Sequence, residues 1–295
     1  MDREPKIVEG KIPFKGYETW YMKVGECAAG KLPLLTLHGG PGARHNYLRS
    51  LDELATKYGR QVIYYDQLGC GNSPTPSLPD LWSAELWEEE VDVVREALGL
   101  EEMHLLGQSW GGMLAMQYAI NRQPRGLHSM VVASSPASIP LWEEEANRLM
   151  KWLPAGMEEV LTEAIKTGEY DTPEYEAASK EYYLRHVCNL EDPPAYVSES
   201  LDNMEEVYHV MQGNDEFMVT GKLKGWDVTG DLDKIKIPTL LTSGVTDEAT
   251  PWIVKPIYDA IPGARWELLM GTHLVHVEQK EQFNRIVEAF FAEHD

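Results

Sequence analysis

Short runs of apolar residues recur along the chain and are separated by segments of helical or loop character. Six of these runs read as short, mostly buried strands, at residues 32–37, 61–65, 103–106, 127–133, 239–243 and 265–270. Strands that alternate with helical segments predict a parallel sheet covered on both faces. Residues 6–24 alternate in character around Gly10 and Gly16, which predicts an antiparallel ribbon at the edge of that sheet.

The segment at residues 84–98 has the periodicity of a helix. Trp87, Val91, Val94 and Leu98 form one apolar stripe, and acidic residues lie on the other side. We therefore predict an amphipathic helix here. The acidic runs at residues 88–90 and 143–145 are interpreted as solvated helix faces.

Between about residues 137 and 229 the pattern changes to helical, polar and aromatic segments with no convincing strand. Helices are predicted at residues 142–153, 157–167 and 173–187. The sequence thus predicts an α/β core made of residues 1–136 and 230–295, with a helical cap inserted at residues 137–229. A chain of 295 residues is long enough for such an arrangement.

The net charge of −22 excludes two classes of partner, nucleic acid and anionic membranes, because both would be repelled. Cationic ligands are attracted. No stretch approaches the roughly 20 apolar residues that span a bilayer. The first residues also lack the apolar core of a signal peptide, so we expect a cytoplasmic protein. Cys27, Cys70 and Cys188 are widely scattered, which predicts neither a disulfide framework nor a zinc site.

One motif connects an apolar run to a helix-like segment: Gly107-Gln108-Ser109-Trp110-Gly111. This is the pattern of a nucleophile elbow, a sharp strand-to-helix turn that exposes a serine hydroxyl. Small residues are needed two before and two after the serine, because larger side chains would collide with neighbouring backbone. The motif therefore indicates Ser109 as a nucleophile. A pattern this short also occurs in ordinary glycine turns, so its context decides.

A serine hydroxyl needs a histidine to remove its proton and a carboxylate to orient that histidine. In this architecture the order along the chain is Ser, Asp, His. Asp247 follows the strand predicted at residues 239–243, and His273 follows the strand predicted to end at residue 270. Both fall beyond the carboxyl ends of strands, where open α/β sheets carry their active residues. We predict a triad of Ser109, Asp247 and His273.

Each of the two partners of the serine has a rival in the sequence. His276 competes with His273, which we favour because it lies nearer the strand end and follows a small-residue turn. Asp231 and Asp233 compete with Asp247, but they precede the strand and therefore belong to the opposite edge of the sheet.

The turn His38-Gly39-Gly40-Pro41-Gly42 follows the first predicted buried strand. A glycine-rich turn at this place supplies backbone N–H donors for the oxyanion of a tetrahedral intermediate. We predict that the N–H groups of Gly40 and Trp110 form the oxyanion hole.

These motifs, together with residues 66–73, resemble the proline iminopeptidases and related L-amino-acid amidases of the α/β-hydrolase superfamily. The similarity extends to Gly213-Asn214-Asp215-Glu216-Phe217 and residues 225–227 in the cap, and to Asp247-Glu248 with Thr250-Pro251. The resemblance implies that Glu216 and Glu248 bind the free α-amino group of the substrate. It further implies that Gly39 contacts the substrate and that no metal or other cofactor is needed.

The sequence departs from the family at two points. The cap motif reads Asn-Asp-Glu at residues 214–216 where Pro-Asn-Glu is expected, and threonine precedes His273 where serine is frequent. Asp215 is therefore expected either to add to amine binding or to disturb it.

The resulting hypothesis is a serine hydrolase that releases an N-terminal proline, or another small or apolar residue, from short peptides or amino-acid amides. One rival function keeps the same triad in a carboxylesterase, lactonase or acyltransferase, since fold does not fix substrate. A second rival is a noncatalytic ligand-binding homologue. Four cap aromatics either wall a small pocket or pack in the core of the cap: Trp142, Trp152, Tyr182 and Tyr208.

Overall fold

The computed structural model describes residues 5–201 and 204–295, and eight strands of this part form one sheet. The strands are β1 (Ile7–Phe14), β2 (Tyr17–Val24), β3 (Leu34–Leu37), β4 (Val62–Tyr65), β5 (Met103–Gln108), β6 (Leu127–Ala133), β7 (Thr239–Gly244) and β8 (Arg265–Leu269). Their order across the sheet is β1-β2-β4-β3-β5-β6-β7-β8. β1 and β2 form the predicted antiparallel ribbon, and the strands from β4 to β8 are parallel.

Eleven α-helices connect and cover these strands in the described residues. They are α1 (Asp52–Tyr58), α2 (Ala84–Leu98), α3 (Trp110–Arg122), α4 (Ile139–Met150), α5 (Met157–Thr167), α6 (Pro173–His186), α7 (Ala195–Leu201), α8 (Glu205–Met211), α9 (Pro251–Ala260), α10 (Val275–Glu278) and α11 (Lys280–Ala292). None of the described helices is both long and apolar enough to cross a membrane.

Five of these helices, α4 to α8, lie between β6 and β7. α4 begins three residues before the predicted position, because the hydroxyl of Ser138 caps it by accepting the N–H of Leu141, and Pro140 stands in its first turn. The segment has a small core of its own, in which Tyr182 packs edge-on against Phe217. We therefore propose the division predicted above, with residues 1–136 and 230–295 as core and 137–229 as cap. Residues 1–4 and 202–203 lie outside the described part.

The structure corrects two predictions about exposure. β8 was predicted to be mostly buried, but Arg265, Glu267 and Leu268 are exposed because β8 is the last strand of the sheet. The acidic runs are not simply solvated, since Glu90 and Glu145 are buried. Their burial is possible because other groups donate hydrogen bonds to them, including the N–H of Leu68 to Glu90.

The carboxyl group of Glu90, inside the core, predicts a pH-dependent stability. Burial raises its pKa from 4.5 to about 8, although the hydroxyl of Thr19 and the N–H of Leu68 donate to it. The native protein therefore holds a proton that the unfolded chain releases above pH 4.5. The free energy of unfolding falls as pH rises through this window, by up to about 5 kcal/mol from this group.

Replacing Glu90 by Gln removes this contribution. We expect urea unfolding between pH 5 and 9 to show a smaller loss of stability for Glu90→Gln than for the wild type. Glu96→Gln, an exposed position on the same helix, is the matched control and keeps the wild-type dependence. Parallel pH profiles of Glu90→Gln and the wild type would contradict the assignment.

Candidate active site

Ser109 occupies the sharp turn between β5 and α3. Its φ of 56° and ψ of −126° are strained for a residue with a side chain. A Cβ on Gly107 would lie 2.0 Å from the carbonyl oxygen of Gly111, and a Cβ on Gly111 would lie 2.0 Å from that of Leu37. The two glycines are therefore required by backbone contacts, as the elbow motif predicts.

Asp247 and His273 lie together at the carboxyl ends of β7 and β8. The Nδ1 atom of His273 is 2.9 Å from Oδ1 of Asp247, and both side chains are buried. The Asp247 carboxylate also accepts the N–H groups of Ala249 (2.8 Å) and Gly244 (3.1 Å), which fix its orientation. Asp247 can therefore hold the imidazole with its Nε2 directed away from the carboxylate.

Ser109 and His273 line the same cavity, which has a volume of about 520 Å³. Within the described residues no hydrogen bond joins Oγ of Ser109 to the imidazole. Hydrogen bonds between catalytic groups are often long without substrate and shorten in the complex. The structure thus brings Ser109 and His273 to one cavity, with Asp247 already in contact with the base.

The rival candidates lie elsewhere. His276 is in α10, packed between Tyr47 and Phe283, and burial lowers its pKa to about 3. Asp231 is exposed in a 3₁₀ helix before β7, where it pairs with Lys234. Asp233 is exposed in the same helix. None of the three lines the cavity.

The predicted oxyanion turn is held by a network behind it. Gly40 has a φ of 109°, and a Cβ there would lie 2.6 Å from the N atom of Gly42, so only glycine fits. The Gln67 side chain donates to the carbonyl of His38 (2.9 Å) and accepts the indole N–H of Trp110 (2.9 Å). Gln67 therefore ties the turn to the first residue of α3, whose N–H is the second predicted donor.

A second pair of side chains, which the sequence motifs did not reveal, supports the same region. The hydroxyl of Tyr47 accepts the N–H of Gly39 (2.7 Å) and donates to Oε1 of Gln108 (2.6 Å). The Gln108 amide donates in turn to the carbonyl of His273 (3.3 Å). The amide of Gly39, a predicted substrate contact, is thus engaged by Tyr47. The one sign of this network in the sequence is that Gln108 directly precedes Ser109.

Glu216 and Glu248 both line the cavity beside His273. Oε2 of Glu216 accepts the hydroxyl of Tyr208 (2.6 Å), and the buried Glu248 carboxyl group lies beside the hydroxyl of Tyr182. Burial raises the pKa of both carboxyl groups, and repulsion from Glu216 and Asp247 raises that of Glu248 further. A buried and a half-buried carboxyl group at one cavity form a site that a cation would satisfy.

Asp215 has a structural role in this geometry. Its Oδ1 accepts the N–H groups of Phe217 (2.7 Å) and Met218 (2.8 Å), and its Oδ2 accepts the hydroxyl of Tyr170 (2.8 Å). Because both oxygens are engaged, Asp215 shapes the turn that carries Glu216.

The four cap aromatics have different environments. Tyr208 lines the cavity, and Trp142 lines a small apolar recess of about 20 Å³ beside Ser109 and donates its indole N–H to the carbonyl of Glu216. Tyr182 packs in the core of the cap. Trp152 is 71% exposed, so it neither lines the pocket nor packs in the core of the cap.

The end of α6 attaches the cap to both loops of the site. The carbonyl of His186 accepts the N–H groups of His273 (3.0 Å) and Glu248 (3.2 Å), and the carbonyl of Val187 accepts that of Leu274 (2.8 Å). No motif signals these contacts, since they are made by backbone atoms.

In the described part of the chain, no group of three or more His, Cys, Asp or Glu residues could hold a metal ion.

The fold and this site define an α/β hydrolase. The pattern of the alpha/beta hydrolase fold family matches residues 33–280, and the chain belongs to that family. A proline iminopeptidase of Clostridium botulinum is 43% identical over 293 residues, which are 98% of this chain and 100% of that protein. Within the superfamily, the chain therefore belongs to the proline iminopeptidase family, which confirms the resemblance found in the sequence.

Solved structures agree with this assignment. The proline iminopeptidase of Mycobacterium smegmatis superposes with a TM-score of 0.92 at 40% identity and covers 97% of this chain and 98% of its own. VinJ superposes with a TM-score of 0.93 at 38% identity, with 98% and 99% covered. The predicted α/β-hydrolase fold is confirmed.

Proposed function

We propose that the protein is a serine aminopeptidase that releases an N-terminal proline, or another small or apolar residue, from short peptides and amino-acid amides. The observation that carries the proposal is the pair of carboxyl groups, half-buried Glu216 and buried Glu248, in the cavity that also contains Ser109. A substrate with a free amine supplies the cation that this pair lacks. The names of the relatives, proline iminopeptidases, agree with this substrate class.

In the proposed reaction, Ser109 attacks the carbonyl carbon of the first residue and His273 accepts the proton from the serine hydroxyl. Asp247 keeps the imidazole in the required tautomer. The N–H groups of Gly40 and Trp110 stabilise the oxyanion. His273 then donates the proton to the leaving amine. A water molecule gives a proton to His273 and attacks the acyl-enzyme, and this proton passes to the oxygen of Ser109 as the first residue is released.

Glu216 and Glu248 restrict the choice of substrate by fixing how far its ammonium lies from its scissile carbonyl. An ammonium held by Glu216 and Glu248 can be only one residue away from the carbonyl at Ser109, which makes the enzyme an exopeptidase. The recess beside Ser109 is lined in part by Met113, Ile139 and Trp142, whose side chains suit contact with an apolar residue. The three thiols are free, in keeping with a cytoplasmic enzyme.

Glu216→Gln tests the amine site. We expect KM for L-proline p-nitroanilide to rise about tenfold to 100-fold, because a charge-assisted hydrogen bond is lost. Hydrolysis of an N-acetylproline ester, which has no ammonium, should change little. Kinetics of both substrates are compared with those of Glu144→Gln, an exposed position in the cap. An equal loss on both substrates would refute amine recognition and favour an esterase.

A further inference from the structure

The imidazole of His273 lies between two carboxyl groups. Asp247 contacts its Nδ1 at 2.9 Å, and Oε1 of Glu248 lies 3.7 Å from its Nε2. Glu248 is 4% exposed, and its backbone is held by the bond from its N–H to the carbonyl of His186. The atom that must accept the proton of Ser109 therefore faces a buried carboxyl group.

This contact affects which groups hold a proton in the free enzyme. Burial and the neighbouring carboxylates raise the pKa of Glu248, which favours a proton on it. A rotation of the carboxyl group directs this O–H at the lone pair of Nε2. In that arrangement Glu248 and His273 share one proton, and Nε2 is less available to Ser109.

We propose that Glu248 slows the attack of Ser109 in the free enzyme and that the amine of the substrate releases His273 for full activity. When an ammonium enters, the shared proton leaves to water, the Glu248 carboxylate pairs with the ammonium, and neutral His273 turns its lone pair to Ser109. A neutral amine takes the shared proton itself and becomes the ammonium. Only N–H and O–H bonds change in this step, and the charge is balanced.

The surrounding groups favour this exchange. Glu216 and Asp247 repel the ionised form of Glu248, which favours its protonated form in the free cavity. An ammonium between Glu216 and Glu248 removes that repulsion. An uncharged ester brings no cation, so the proton of Glu248 stays directed at Nε2 and the ester reacts slowly. Selection of free amines thus occurs in the activation of the nucleophile as well as in binding, an inference that rests on the proposed aminopeptidase function.

Glu248→Met tests the inference, since methionine has a similar length but neither holds nor donates a proton. The measurement is the second-order rate at which a small uncharged fluorophosphonate labels Ser109, identified by peptide mass spectrometry. We expect labelling at least about tenfold faster than in the wild type, because a freed general base contributes 10²–10⁴-fold. The same variant should lose kcat/KM for L-proline p-nitroanilide. Structural damage would lower both rates.

Glu267→Met, at an exposed position of β8, is the control and should label at the wild-type rate. Glu248→Ala is the second variant, and faster labelling in it also supports the inference. Equal or slower labelling of Ser109 in both Glu248 variants overturns the inference and leaves the proposed function intact. A failure of the reagent to label Ser109 in any of the proteins overturns the proposed function, and the inference with it.

Discussion

Ser109→Ala should reduce kcat for L-proline p-nitroanilide by roughly 10⁶-fold, the size of loss that removal of a triad serine causes in other serine hydrolases. Without the hydroxyl no acyl-enzyme can form, and only binding and the oxyanion donors remain. Asp247→Asn should cost about 10⁴-fold, because the amide stabilises the wrong tautomer of His273. Steady-state kinetics and circular dichroism of the purified variants provide the measurement.

The neighbouring Ser135 offers a matched control. Its buried hydroxyl donates to the carbonyl of Ser109 (2.8 Å), so Ser135→Ala removes an equal group close to the nucleophile. We expect this variant to keep activity within about tenfold of the wild type, since one neutral hydrogen bond contributes about 1 kcal/mol. Substantial turnover by folded Ser109→Ala would exclude Ser109 as the nucleophile.

Arg60→Met should lower the free energy of unfolding by about 3–5 kcal/mol, a large share of the total stability of a typical domain. Arg60 is fully buried and forms paired hydrogen bonds of 2.8–3.1 Å with the carboxylates of Glu288 and Asp295. It also donates to the carbonyl of Leu32 at 2.7 Å, which links α11 to the chain entering β3. Removing the guanidinium leaves two carboxylates without their main cation.

The control for this prediction is Arg265→Met. Arg265 pairs with Glu293 at 2.9 Å, but both side chains are about half exposed. A surface ion pair of this kind contributes at most about 1 kcal/mol. Urea unfolding of the two variants should therefore give clearly different losses, and similar losses would show that the burial of Arg60 has little effect.

Much of the fold follows from local pattern. The apolar runs predicted the six strands from β3 to β8 within a few residues, because buried parallel strands consist of little else than apolar residues. The alternation in residues 6–24 predicted the ribbon of β1 and β2. The elbow, the glycine turn and the two loops after β7 and β8 were recognisable because each needs particular residues at fixed spacing. β5 extends two residues beyond its prediction, to Gln108. Gly107 and Gln108 are not apolar, so the apolar run ends before the strand does.

Other features could not be predicted from pattern. Buried Glu90 and half-buried Glu89 are neighbours in one acidic run, and only the packing of α2 makes their exposure differ. Similarly, Trp142 and Trp152 are both cap tryptophans, yet one lies beside the cavity and the other in solvent. Burial depends on neighbours that are distant in the chain.

The sequence by itself determined the fold class, the family and the residues proposed as nucleophile, base and acid, because turn geometry and strand ends impose local rules on residue type. Only the tertiary structure decided that Glu248 faces Nε2 of His273, that Asp215 is engaged in a turn and that the carbonyl of His186 holds both loops of the site. These contacts join segments more than 25 residues apart or depend on side-chain direction. Neither property is encoded in local spacing, because both depend on how the folded segments pack against one another.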